Sequence, residues 1–180
     1  MSRSASTFND SIEDAVVLLQ HFDTVHKLSP ENSEVLKRAG LVMAMTAWET
    51  YVEDCISECV NKRLSAVNGS PIGKFVSGKL EEELKRFHNP NSEKTRKLFL
   101  DYLEIDITES WKWSNIDTTS AKKTLNELIA KRGDAVHRSK SLSNGGIKSP
   151  HLVKREELDK TIKFLKNLVG AMELGLKDEL

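Results

Sequence analysis

Two cysteines in 180 residues are too few for a disulfide-stapled scaffold. Cys55 and Cys59 lie four apart on one face of a strongly helical segment. They lack the second pair a tetrahedral metal site needs, and the scattered histidines supply no HxxxH to complete one. Both cysteines therefore read as small buried hydrophobes, and no metal or cofactor is expected. No apolar run approaches the roughly 20 residues that span a bilayer, and Met1 to Asp10 lacks the basic and apolar regions of a signal peptide. A cytoplasmic protein with no membrane partner is expected, and the terminal Lys177-Asp178-Glu179-Leu180 reads as a coincidental match to an ER-retention signal at a helix end. Strand-type alternation and internal repeats are also lacking.

The remaining composition is that of a folding chain, with 38% apolar and 30% charged residues. Its length suits one domain, residues 1–180, with a continuous core. Apolar residues recur at three- and four-residue spacing, so the expected fold is all-α, a bundle of about five to six helices. The first helix runs from about Ser6 to His26 on a stripe of Phe8, Ile12, Ala15, Leu19 and Phe22. Ser29-Pro30-Glu31 opens a long second helix to about Val67, and between Leu41 and Trp48 its apolar residues cover nearly the whole circumference. That pattern marks the centre of a bundle. A third helix follows from Ser70-Pro71 to about Phe87, and a fourth runs from the Asn89-Pro90-Asn91-Ser92 break to about Leu103. Residues 104–118, with Trp111 and Trp113, have no clean period and read as a connector packed by its aromatics. A fifth helix begins near Thr118. The serine- and glycine-rich stretch 139–153, expected to be mobile without ligand, separates it from a final helix built on Leu158, Ile162, Leu165, Val169, Met172 and Leu176.

Formal net charge is zero, but its distribution is uneven. Residues 1–60 carry four Lys/Arg against ten Asp/Glu, whereas residues 121–155 carry nine against two. Such a basic stretch creates a local field suited to a polyanion. Alternatively, it pairs with the acidic N-terminal third, within the fold or across a dimer.

One short segment of this stretch carries chemistry. On a helical wheel Ala121, Leu128, Ile129 and Val136 fall within about 60° of Leu125, and Arg132 falls about 20° from it. Arg132 therefore points along an apolar stripe, where it must snorkel or be held by an acceptor. Glu49, at the edge of the second helix's apolar stripe beside Met45 and Ile56, is the candidate acceptor. His137 lies five residues beyond Arg132 and about 140° round the helix, so one regular helix cannot aim both side chains at one point. They are unrelated, or the helix is distorted near Gly133, or a second protomer supplies the missing half. His21, His26, His88 and His151 have no partner at useful spacing and read as structural or surface residues.

Arg132-Gly133-Asp134-Ala135-Val136-His137 matches the RxxxxH signature of the HEPN superfamily, all-α domains of prokaryotic defence and toxin systems and of some eukaryotic nucleases. The order of helices, the motif's place late on the penultimate long helix, and the segment LVMAMTAWETYVEDCI from Leu41 to Ile56 resemble the HEPN helical core, particularly its RiboL-PSP-like branch. The likeness covers about residues 6–175 in architecture. It implies a metal-independent endoribonuclease whose site forms where two protomers bring their motifs together, with Arg132 and His137 in the catalytic positions. Asp134 would support them by orienting one of the two or would simply be exposed, Glu49 would support Arg132, and Lys131, Arg138 and Lys140 are placed to contact RNA. Imidazole transfers protons near neutral pH and guanidinium stabilises a phosphorane, so the chemistry is coherent.

The sequence departs from the family pattern at two points. Gly133 stands where members often carry a polar residue. Ser139 stands where some carry a tyrosine that a partner nucleotidyltransferase modifies, which weakens the case for such a partner; a cognate antitoxin is the other partner the family implies. Two alternatives stay open: an inactive HEPN-like module that binds a partner or nucleotide, and an unrelated bundle with a chance motif. A composite site requires a symmetric homodimer. Light scattering at micromolar concentration should report about twice 20.3 kDa, and a strict monomer would remove the composite site.

Overall fold

The computed structural model describes residues 1–137 and 153–180; the side chains of Glu31, Asn32, Val136 and His137 also lie outside the description. Six α-helices are present among the described residues: α1 Arg3–Val25, α2 Pro30–Arg63, α3 Pro71–Leu84, α4 Ser92–Leu103, α5 Thr118–His137 and α6 Arg155–Gly175. The expected all-α bundle is observed. None of the described helices is long and apolar enough to cross a membrane. The expected loop at 139–153 lies, apart from buried Val153, outside the described residues.

The long α2 is the hub, packing against α1, α3, α4, α5 and α6. Its segment from Leu41 to Val60 buries Leu41, Ala44, Met45, Ala47, Trp48, Tyr51, Val52, Cys55, Ile56, Cys59 and Val60, so most of its circumference faces other helices. Both cysteines are buried and free. On α1 the stripe Phe8, Ile12, Ala15, Leu19 and Phe22 is buried as its spacing predicts. That helix begins at Arg3 rather than Ser6, because the Ser2 hydroxyl accepts from the Ala5 N–H and caps the first turn. The same hydroxyl donates to Glu173 at 2.7 Å, and Tyr51 donates to that carboxylate at 3.1 Å, tying the N-terminus, α2 and α6 together.

Two helix ends differ from the sequence expectation. α2 stops at Arg63, four residues early, and a 3-10 turn over Ser65–Val67 follows. Arg63 closes this end by donating to both oxygens of Glu179, at 2.6 and 2.7 Å, and to the Leu103 carbonyl at 2.9 Å. Glu179 of the C-terminal tetrapeptide thus has a structural partner. α3 ends at Leu84 instead of Phe87, and short-range backbone bonds from Arg86, Phe87 and His88 carry the chain round to Pro90. Asn89 completes the turn with a φ of 54°, in the left-handed region that asparagine tolerates better than most residues.

The connector between α4 and α5 folds through a second 3-10 turn, Ile107–Ser110. Its aromatics pack as expected. Trp111 is fully buried edge-on to Trp48, with ring centres 6.1 Å apart, and Trp113 packs on Phe164 at 5.6 Å.

Helix crossings set which glycines matter. A Cβ on Gly40 of α2 would meet Leu158 of α6 at 2.7 Å, whereas one on Gly78 of α3 would meet nothing within 4 Å. Gly40→Ala should therefore destabilise the fold by about 1–3 kcal/mol through overpacking. Gly78→Ala should stabilise it by roughly 0.5–1 kcal/mol by restricting the unfolded chain. Urea unfolding of both variants reads the two signs directly.

Candidate active site

Trp48 and Glu49 are neighbours on α2. The Trp48 indole N–H is buried and donates to the Pro90 carbonyl at 2.9 Å, pinning the α3–α4 connector against α2. This brings Asn89 and His88 up to Glu49. From the other side α5 presents Arg132, one turn beyond the buried or partly buried Ala121, Leu125, Leu128 and Ile129. α5 is α-helical without a break through Gly133 to His137, so distortion there does not account for the spacing of the motif.

The three elements meet at one carboxylate. Arg132 Nη1 donates to Glu49 Oε2 at 3.0 Å, with only 20% and 16% of the two side chains exposed. It also donates to Asn89 Oδ1. On the carboxylate's other oxygen, Glu49 Oε1 lies 3.5 Å from His88 Nδ1. An arginine on an apolar stripe is thus held by an anion and an amide oxygen, the arrangement that makes a half-buried guanidinium tolerable. Glu53, one turn further along α2, has its carboxyl raised above the ordinary range. Burial is the main cause, then the negative charges of Glu49 and Asp54, while His88 pulls in the opposite direction.

Of the other expected site residues, those described lie apart from Glu49. Asp134 is exposed on α5, one of the two readings open for it. Lys131, expected to contact RNA, bridges to Glu157 of α6 at 2.5 Å, across a cleft between the two helices rather than beside Arg132. His137 ends α5, its side chain outside the description; Arg138 and Lys140 lie outside the described residues altogether. The basic stretch does pair in part with the acidic N-terminal third. Besides Arg132 with Glu49, Arg155 donates to both oxygens of Asp23 at 3.0 and 2.7 Å, and this holds Asp23 below the usual carboxylate range.

Two residues went unforeseen. Asn89 left only a turn signature in the sequence, an Asn-Pro after a helix. His88, set aside as having no partner, is indeed at the surface, yet it faces Glu49; the pairing spans 39 positions, and no local spacing rule reaches that far. His26 also has partners, stacking on Phe22 at 4.8 Å and lying 3.0 Å from the Ser33 hydroxyl, and its role is structural.

The RiboL-PSP-HEPN family model matches residues 6–178, nearly the whole chain. The chain belongs to the RiboL-PSP-HEPN family. No curated protein and no solved structure matches it. The arginine that Glu49 and Asn89 grip is the one that opens the Arg132-to-His137 segment. Among the described residues, no group of three His, Cys, Asp or Glu side chains is placed to hold a metal ion.

A double-mutant cycle on Glu49→Ala and Arg132→Ala, followed by urea unfolding, should give a coupling of about 0.5–3 kcal/mol. Additive losses would mean the pair does not form in solution.

Proposed function

We propose that the chain is a metal-independent endoribonuclease that acts as a homodimer, each protomer contributing its Arg132-to-His137 motif to a shared cleft. The observation that carries this reading is the grip on Arg132. A stripe-facing guanidinium fixed by Glu49 and Asn89 is preorganised to meet a phosphodiester with little reorganisation. His137 follows five residues on in the same helix.

In this mechanism His137 takes the proton from a ribose 2′-OH. The O2′–P bond forms as the P–O5′ bond breaks and the departing 5′-oxygen takes a proton from the motif histidine of the other protomer, leaving a 2′,3′-cyclic phosphate and a 5′-hydroxyl. Arg132 stabilises the charge that gathers on the phosphorane. A toxin or defence role fits an enzyme that cuts RNA, and a cognate antitoxin is the partner such a role implies.

A second reading, an inactive module that binds a nucleotide or partner, draws on one observation. The cleft between α5 and α6, about 520 Å³, is lined by apolar Leu41, Leu128, Val153 and Phe164 and by charges of both signs, Lys131 and Lys160 with Glu127 and Glu157.

Purified protein incubated with total RNA in EDTA should cleave it. His137→Ala should lose about 10²- to 10⁴-fold in rate while keeping helicity and dimerisation. Arg132→Lys, which keeps the charge but not the fork, should also lose activity. A deoxyribose at a mapped scissile position should block cleavage. Wild-type rates from His137→Ala, or loss of cleavage in EDTA, would hand the case to the binding module.

A further inference from the structure

Arg63, Arg155 and Arg132 are each held by a carboxylate, but through different nitrogens. Arg63 donates to Glu179 from Nε and Nη2, at 2.6 and 2.7 Å, and Arg155 donates to Asp23 from the same two nitrogens, at 3.0 and 2.7 Å. Those nitrogens lie side by side and form the fork by which a guanidinium grips two oxygens at once. Arg132 is held by Nη1 alone, which donates to Glu49 Oε2 at 3.0 Å and to Asn89 Oδ1. Nη1 carries two hydrogens, so both are spent. Among the described residues, Nε and Nη2 of Arg132 have no partner. We propose that Asn89 is a positioning residue, which with Glu49 occupies both hydrogens of Nη1 and so aims the Nε–Nη2 fork of Arg132 at two non-bridging oxygens of the substrate phosphodiester.

Asn89 suits this task in geometry, in charge and in mounting. A guanidinium held by one acceptor can swivel about that bond, whereas two acceptors on one nitrogen fix its plane. Glu49 already offsets one positive charge, and an amide oxygen adds the second anchor without a second negative charge, so the fork keeps its attraction for phosphate. The main chain around Asn89 is fixed on both sides. Lys94 Nζ donates to the carbonyl of the residue before it at 2.7 Å, and the Trp48 indole donates to the carbonyl of the residue after it at 2.9 Å. A rigid backbone therefore carries the amide to the guanidinium.

The alternative is that Asn89 serves only the turn, whose φ of 54° asparagine tolerates. Glycine adopts that conformation more readily still and has no side-chain oxygen, so Asn89→Gly separates the two roles.

The positioning role rests on the nuclease reading, and one experiment separates the two. Single-turnover cleavage of a short RNA is measured over a range of enzyme concentration, giving a maximal rate and a half-saturating concentration, with urea unfolding of each variant alongside. Asn89→Gly should stay folded and leave half-saturation nearly unchanged, because the charge of Arg132 still draws the RNA. Its maximal rate should fall by about 10²-fold, because the fork is no longer aimed. Asn89→Asp keeps an oxygen on Nη1 and tolerates the turn; it should retain most of the maximal rate but need more enzyme to saturate, because a second carboxylate opposes the RNA. In an Arg132→Lys background, which has no fork to aim, Asn89→Gly should add little further loss. Asn89→Ser, whose hydroxyl falls short of the guanidinium, takes the place of Asn89→Gly if the glycine variant does not fold. A wild-type maximal rate from Asn89→Gly would overturn the role and leave Asn89 to the turn. Equal losses of maximal rate from Asn89→Gly and Asn89→Asp would also overturn it, as would an undiminished effect of Asn89→Gly beside Arg132→Lys. A wild type that cuts no RNA would defeat the nuclease reading, and the positioning role with it.

Discussion

A single buried hydrogen bond holds the candidate site together, from the Trp48 indole to the Pro90 carbonyl. Trp48 lies at the centre of the core, against Tyr51 and Trp111, and is immobilised by packing on every side. Its one polar atom needs a partner, and the α3–α4 connector supplies it. The core thereby fixes the connector, and the connector delivers His88 and Asn89 to Glu49. Glu49, adjacent to Trp48 on α2, stands at the border between core and surface. Core packing and site geometry are thus coupled through two consecutive residues.

The fold was largely legible in the sequence because its helices are long and strongly periodic. The stripes of α1, α2 and α6 bury the residues that their spacing names. What misled was local. The end of α2 is decided by Arg63 meeting Glu179, and the end of α3 by a turn built round a left-handed Asn89; neither leaves a periodic trace. Arg132 was legible from its place on an apolar stripe, and Glu49 as its acceptor from its place at a stripe edge. His88 and Asn89 were not, since their contacts depend on how a connector crosses two helices. The partner of Lys131, Glu157, stands on the next helix, which net charge along the chain does not reveal.

Membership of the RiboL-PSP-HEPN family covers nearly the whole chain and singles out no residue, whereas the grip on Arg132 concerns one guanidinium. Helix α5 carries both functions of that residue's neighbourhood: its buried face packs on α2, and its last turn carries the motif to the boundary of the described structure. A helix so placed transmits any disturbance of core packing to the motif within a turn or two.

Glu49 holds one partner on each oxygen, and this sets the charge of the site. With Arg132 the carboxylate makes a neutral pair at the border of the core. An anion that approached the guanidinium would have to share it with Glu49, and loss of Glu49 would leave a half-buried positive charge without its counter-ion.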